Sequence, residues 1–549
     1  MNGFRACALV VVALSLAACG KRPAVVRSDA VIGGLDIDRA TGQLMMVGFK
    51  GPTLTPAIQE TLRELQPGGV CLYQQNITGP DQVARLNDEL RVCLDQTLPP
   101  FLAIDHEGGV VVRIFEGATV FPSSMALGAT HSAELAFETG RTVGKELRLM
   151  GFNMNLAPVL DTPQNPAIGS RAFSDNPRLI AKLGSAFIAG QQQAGVATVA
   201  KHFPGEGRSE GDSHYRLPVR WEAASAIRSE LDPFCTAIEG GLDGIMTAHV
   251  AVPSLARNRL PATISTKLLT GVLRQELNFD GLILTDELEG MRAISAYGID
   301  RAAIAAINAG ADMVFVAFSS DVQRQVHRAL IDAVRSGEIS RARLEQALAH
   351  IVALKSKRQL FDGIQPRNER LETLYRRTGE QVARQIARKS ITLIGSSVDC
   401  LPIKPNSRIA LVTDSQNFAD AIRTQAPQTK VLMVDRKSLQ NLRSVEQSVQ
   451  ELATGSDAVI AAFIWQDRFK LVRNCSAPSR PLILVSMNVP GPNFLREIPK
   501  ANAVLVNYSY QPVSAEATAD VIFKNPLTPG TLPVQLEPND SAVPRITVR

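Results

Sequence analysis

Between about residues 38 and 357, eight short apolar runs alternate with longer segments whose apolar residues recur at helical spacing. The runs are Leu44–Phe49, Gly69–Tyr73, Phe101–Asp105, Met154–Leu160, Ala197–His202, Gly244–His249, Leu282–Asp286 and Met313–Ala317. Between them lie amphipathic stretches such as Pro80–Gln96, Ala133–Leu149, Asn176–Gln193, Trp221–Glu239 and Asp321–Arg335. A strand that is apolar along its whole length must be covered on both faces, and strands alternating with helices imply a parallel sheet. Eight such units fit a closed (β/α)₈ barrel of the TIM type better than an open doubly wound sheet. The fold class expected is therefore α/β, with a catalytic-size barrel over residues 38–357.

A charged helical stretch, Arg367–Lys389, follows, and residues 358–390 read as a helical linker. A second alternation begins at Ile391 and runs through Arg408–Thr413, Val431–Asp435, Ala458–Ile464, Leu482–Met487 and Ala503–Tyr508. Five or six strands with intervening helices predict a smaller three-layer α/β sandwich over 391–549. Asn525–Gly530 reads as loop, with little order expected after it. At 549 residues, two or three domains are expected.

Composition narrows the class of function. The chain is 45% hydrophobic and 20% charged, with a net charge of +5 and no dense basic cluster, which argues against a nucleic-acid partner. Beyond residue 19, five cysteines are scattered without CxxC spacing, so neither a disulfide framework nor a structural zinc site is expected. Cys71 and Cys235 read as buried small side chains. No His/Cys/carboxylate set has ligand spacing, and no metal or organic cofactor is implied.

The N-terminus has its own logic. Arg5 precedes an apolar run, Ala6 to Ala18, that is too short to span a bilayer and has the features of a secretory signal. It ends Leu16-Ala17-Ala18-Cys19-Gly20, which resembles the bacterial lipobox. That resemblance implies lipidation of Cys19, a signal over residues 1–19 and a tether over 20–37. Several acyl chains on one cysteine would hold the chain firmly to a membrane. The expected setting is the cell envelope, lipid-anchored and facing the periplasm or exterior.

In a barrel of this kind, chemistry gathers beyond the carboxyl ends of the strands. Asp105, Lys201, His202, His249 and Asp286 each terminate an apolar run. An isolated strand-end Asp is equally well read as a helix N-cap, but Lys and His are not cap residues. Their convergence indicates one polar pocket at the barrel mouth. The fifth strand is followed by a long Gly- and Pro-bearing loop that carries Asp212 and His214. Two residues apart, the carboxylate can orient the imidazole and support its cationic form, which suits proton transfer near neutral pH.

The ordered set of segments resembles glycoside hydrolase family 3, in its β-N-acetylhexosaminidase branch. The segments are Lys201-His202-Phe203-Pro204-Gly205 with Asp212-Ser213-His214, Ile104-Asp105-His106-Glu107-Gly108-Gly109, Asn155 to Asp161, Ser170-Arg171-Ala172-Phe173, Met246-Thr247-Ala248-His249 and Thr285-Asp286. The resemblance implies that Asp286 is the nucleophile and His214 the acid/base, with Asp212 as its orienting partner. It places Asp105, Arg113, Arg171, Lys201 and His202 on the terminal sugar. The implied activity is that of a retaining exo-β-N-acetylhexosaminidase acting on peptidoglycan or chitin-like fragments through a covalent glycosyl-enzyme. Another family 3 β-glycosidase, such as a β-glucosidase, and an inactive glycan-binding lipoprotein are the alternatives. Glu206 departs from the family pattern, which often has His there. Because adjacent strand residues face opposite sides, Glu287 is expected to lie outside the pocket of Asp286.

Overall fold

The structure, a computed structural model, describes residues 34–94, 97–209, 211, 213, 215–362, 375–396, 400–477, 479–524 and 528–537. The signal segment with Cys19, and the pair Asp212 and His214, lie outside the described residues.

The eight apolar runs form eight parallel strands: β1 (Met45–Val47), β2 (Gly69–Leu72), β3 (Phe101–Ile104), β4 (Met154–Asn155), β5 (Ala197–Phe203), β6 (Gly244–Thr247), β7 (Leu282–Glu287) and β8 (Met313–Val316). They pair in chain order, and the ring closes where Met46 of β1 stands opposite Phe315 of β8. The expected (β/α)₈ barrel is therefore the observed one. Phe101, Leu102, Ala103 and Ile104 of β3 are all inaccessible to solvent, as a strand covered by helices outside and barrel core inside requires. The helices start where short polar side chains cap them. Ser132 accepts from the Leu135 amide ahead of Ala133–Leu149, and Asn176 accepts from Arg178 ahead of Pro177–Gln193.

One expected helix is broken. The 221–239 segment forms two short helices, Ala224–Ser229 and Asp232–Glu239. Pro233 has no amide to donate and restricts the residue before it, so a single helix cannot run through it. Cys235 is half-buried rather than buried, whereas Cys71 is fully buried in the barrel.

The second domain is a six-stranded sheet built from β9 (Thr392–Ser396), β10 (Ile409–Thr413), β11 (Lys430–Met433), β12 (Ala458–Phe463), β13 (Leu482–Ser486) and β14 (Ala503–Val506). The spatial order is β11-β10-β12-β13-β14-β9, with only β9 antiparallel. Alternate residues feed two separate cores. Leu411, Ile460 and Ile483 pack on one face, and Val412, Val459 and Leu484 on the other. Helices cover both faces, giving the three layers expected.

The two domains are joined through side chains. Helix Tyr375–Ser390 lies between them, and Val506 and Tyr508 belong to the same hydrophobic core as the barrel. Ser123 Oγ donates to the Tyr508 carbonyl (2.7 Å), and Gln511 Nε2 donates to the Gly109 carbonyl (2.5 Å). The second domain thus sits against the loop that follows β3. The stretch 528–537 corrects the expectation of little order there: it runs back along the barrel. The Thr531 amide donates to Ala129 O (2.9 Å), the Gln535 amide donates to Asp175 Oδ2 (2.7 Å), and Val534 is buried.

Candidate active site

A cavity of about 390 Å³ opens at the carboxyl ends of the barrel strands. Asp105, Arg113, Arg171, Lys201, His202 and Asp286 all line it. His249, also expected there, does not line it and is buried in the wall below. Its Nε2 lies 2.8 Å from the Glu287 carbonyl, and its Nδ1 lies 2.7 Å from Thr263 Oγ1. It holds the backbone beside Asp286.

The positive side chains are held by carboxylates. Lys201, almost fully buried on β5, pairs with Asp105 and, at 2.7 Å, with Glu107. Arg171 grips Glu107 with two hydrogen bonds, Nε to Oε2 at 2.9 Å and Nη2 to Oε1 at 2.8 Å. Arg113 Nη2 donates to Asp105 Oδ2 at 2.8 Å. Burial alone would raise the Glu107 carboxyl, but Arg171 and Lys201 outweigh it and hold it well below the usual carboxylate range. Likewise, burial would lower the Lys201 ammonium, but Asp105 and Glu107 keep it raised and charged. The result is a set of fixed charged donors with three elements of the barrel behind them, suited to the oxygens of a polar ligand.

His202 is oriented by Asp161. Its Nδ1 lies 2.7 Å from Asp161 Oδ2, the same oxygen accepts the His202 amide at 3.0 Å, and Asp161 Oδ1 accepts the Glu206 amide at 2.7 Å. Burial works against the imidazolium, yet Asp161 raises the His202 pKa. One carboxylate therefore sets both the histidine and the start of the long loop after β5.

Asp286 is half-buried, and its Oδ1 accepts the Glu287 amide at 2.7 Å. Contrary to the alternation argument, Glu287 lines the same cavity. The reason is a register irregularity: Leu284 pairs with Met313 but Glu287 pairs with Phe315, so three steps along β7 match two along β8. The extra residue bends the strand as a bulge does and re-aims consecutive side chains. The Glu287 carboxylate is then taken up by backbone. Oε1 accepts from Glu289 N (2.7 Å) and Ala317 N (3.2 Å), and Oε2 from Gly290 N (2.6 Å). Burial pushes its pKa up to about 7 despite those three donors. Glu287 is an anchor for the loop that follows Asp286.

Glu206 also lines the cavity, with Oε2 accepting from Asn165 Nδ2 at 3.0 Å. Burial raises its carboxyl to about 7, with Asp161 and Asp286 adding to the rise and His202 opposing it. Ser213, between Asp212 and His214 in the sequence, is buried in the cavity wall, and its carbonyl accepts the Ala293 amide at 3.1 Å. That bond ties the loop after β5 to the loop after β7.

Two contributors escaped the sequence reading. Asp161 ends the fourth apolar run just as Asp105 ends the third, so the strand-end criterion would have found it. Glu107 stands two residues beyond Asp105, past the strand, and only the folded loop brings it under Lys201.

Residues 36–354 match the model of the glycosyl hydrolase family 3 N terminal domain. The chain belongs to glycosyl hydrolase family 3. It is 34% identical over 333 residues to Beta-hexosaminidase A of Pseudoalteromonas piscicida, a match that covers 56% of this chain and 56% of that one. It is also 34% identical over 325 residues to Beta-hexosaminidase of Thiobacillus denitrificans (strain ATCC 25259 / T1), covering 57% of this chain and 89% of the relative. Over both domains it is similar to the solved structure of a glycoside hydrolase family 3 beta-N-acetylglucosaminidase from Paenibacillus sp. str. FPU-7. There the TM-score is 0.84 at 32% identity, over 91% of this chain and 99% of that one. The likeness to family 3 enzymes thus extends past the barrel into the second domain.

Proposed function

We infer that this chain is an exo-acting, retaining β-N-acetylhexosaminidase that removes terminal β-linked N-acetylglucosamine from peptidoglycan or chitin-like fragments. The observation that carries the reading is the cavity itself. A pocket of about 390 Å³ at the barrel mouth sets Asp286 beside the fixed donors Arg113, Arg171 and Lys201, a size and lining suited to one polar ring. The β-hexosaminidase relatives and the Paenibacillus N-acetylglucosaminidase support the choice of sugar.

In this reading, the Asp286 carboxylate attacks the anomeric carbon as the bond from that carbon to the leaving oxygen breaks. His214, steadied by Asp212, gives its proton to the leaving oxygen. It then takes one from the water that cleaves the glycosyl-enzyme, so configuration is retained over two displacements. A histidine in the acid position leaves Asp286 without a second acidic catalyst beside it, which lets both groups hold their working charge. Asp105, Arg113, Arg171, Lys201 and His202 bind the terminal sugar. Glu287, with both carboxylate oxygens occupied by backbone amides, positions Asp286 and does not polarise an acetamido group. The setting proposed is the cell envelope, with Cys19 lipidated.

The test is an assay of protein lacking the lipid anchor on aryl β-N-acetylglucosaminide and aryl β-glucoside, with Asp286→Asn alongside. The N-acetyl substrate should be preferred, and the variant should lose about 10³-fold or more in kcat, as for a lost nucleophile. Equal rates for the two proteins would sink the mechanism; preference for the glucoside would sink the choice of sugar. For the anchor, Cys19→Ser should move the protein from the membrane fraction to the soluble one.

A further inference from the structure

The cavity has two unlike walls. Going round the barrel, β3, β4 and β5 supply the charged side: Asp105, Arg113, Arg171, Lys201 and His202. The neighbouring strands β2 and β8 supply rings: Phe315 on β8, Phe318 after it, and Tyr73 after β2, where the Arg113 guanidinium lies 5.7 Å from the Tyr73 ring centre. Tyr73 stacks nearly parallel to Phe315, with centroids 6.4 Å apart and planes at 12°. It meets Phe318 at 5.5 Å and 36°. Phe315 is buried at 3%, whereas Phe318 stands 37% exposed, so the rings climb from the pocket interior to its rim.

The rim ring is held in place. Glu289, on the loop that follows Asp286, accepts the amides of Phe318 (2.9 Å) and Ser319 (3.0 Å) through one oxygen, Oε2. The backbone carrying Phe318 is thus tied directly to the segment carrying Asp286. The second domain is seated against the loop after β3, through Gln511 and Tyr508.

A pyranose with equatorial substituents presents polar edges and apolar C–H faces, and an aromatic ring offers such a face a large, rigid, apolar surface with a negative π cloud. In an exo-acting pocket the terminal ring lies inside and the departing ring lies at the rim. We propose that Phe318 is the platform of a leaving-sugar subsite, stacking on the C–H face of the pyranose expelled when Asp286 attacks. The proposal rests on the glycosidase reading above and adds to it where the second sugar sits.

The experiment compares kcat/KM on N,N′-diacetylchitobiose and on N-acetyl-β-glucosaminyl fluoride, whose leaving group is one atom, for wild type, Phe318→Ala, Phe318→Leu and Phe318→Tyr. Phe318→Ala and Phe318→Leu should lose about 10-fold on the disaccharide and stay within about twofold of wild type on the fluoride, and Phe318→Tyr should keep both activities. Leu retains apolar bulk without a π face, so it carries the test if the Ala variant does not fold. An equal loss on both substrates would overturn the proposal, since it would place the ring under the terminal sugar. No loss on the disaccharide would overturn it as well. Wild type inactive on both substrates would instead overturn the hexosaminidase reading on which the proposal rests.

Discussion

The two ends of the barrel both bury charge, but they use it differently. At the carboxyl end, Lys201, Arg171 and Arg113 share Asp105 and Glu107 around an open cavity. At the amino end, Asp312, fully buried just ahead of β8, is saturated from within. It accepts Arg274 Nη2 (2.5 Å), Arg343 Nη2 (3.0 Å), the Ile283 amide (2.9 Å) and a contact from His350 Nδ1 (2.8 Å). Its partners come from helices Arg341–Lys357 and the 267–276 segment, so the carboxylate bolts the outer layer to the strands. A buried acid beside a barrel strand is thus no sign of chemistry in itself. What matters is which end it occupies and whether its neighbours face a cavity.

That contrast can be broken at its strongest points. Asp312→Ala should cost the most in stability, about 3–5 kcal/mol, because Arg274 and Arg343 are left buried without their counter-charge. The thermal midpoint should fall sharply while kcat per folded molecule stays near wild type. Lys201→Met should do the reverse. Arg171 still holds Glu107, so the midpoint should shift less, while kcat/KM falls about 100-fold through loss of a charged donor in the cavity. If Lys201→Met unfolds the protein as readily as Asp312→Ala while the folded fraction remains active, the distinction between the two poles fails.

Much of this was legible in the sequence because burial leaves a compositional trace. A strand such as Phe101–Ile104, with no exposed residue, must read as an unbroken apolar run, and a polar residue at its end must read as an interruption. The same reasoning reached Asp105, Lys201, His202 and Asp286. It failed where geometry departs from simple periodicity. Glu287 entered the cavity through an extra residue in β7, and nothing in the local composition announces that insertion. Residues 528–537 carry a short apolar alternation, Leu532, Val534 and Leu536, that packs on the barrel core, but beside Pro529, Gly530 and Pro533 so short a run reads as loop. Nor does composition separate the poles. Asp243 and Asp312, which precede strands, look much like Asp105 and Asp286, which end them.

The comparison is sharpened by a lysine at the amino end that has no carboxylate partner among the described residues. Lys355 is fully buried, its Nζ donates to Gln43 Oε1 at 2.7 Å, and it lies 5.3 Å from the centre of the Phe101 ring. Burial lowers its pKa from 10.5 to about 7. The unfolded chain therefore binds the proton more tightly than the fold between those values, so stability rises with pH across that window and the full penalty applies below about 7. Lys355→Met should remove the penalty and stabilise the protein by about 1–3 kcal/mol, most at acidic to neutral pH and least above the ordinary lysine range. A thermal midpoint that does not rise, or rises equally at all pH, would show that the ammonium is hydrated.

Glu206 is the counterpart at the catalytic end, and its sign is opposite. Its carboxyl is raised from 4.5 to about 7, so the folded state holds the proton more tightly than the unfolded chain in that interval. Stability then falls as pH rises from 4.5 to about 7, and stays reduced above it. Glu206→Gln copies the protonated form. It should match wild type in thermal midpoint at the acidic edge of the window, gain on it through the window, and plateau about 3 kcal/mol ahead. A flat difference across pH would mean that Glu206 stays in one protonation state throughout. If the predicted curves appear, Lys355→Met and Glu206→Gln will have shown one barrel carrying destabilising charge at both ends, relieved by raising the pH at one and by lowering it at the other. Only Glu206 borders the cavity, so only its variant should also change the pH dependence of kcat/KM.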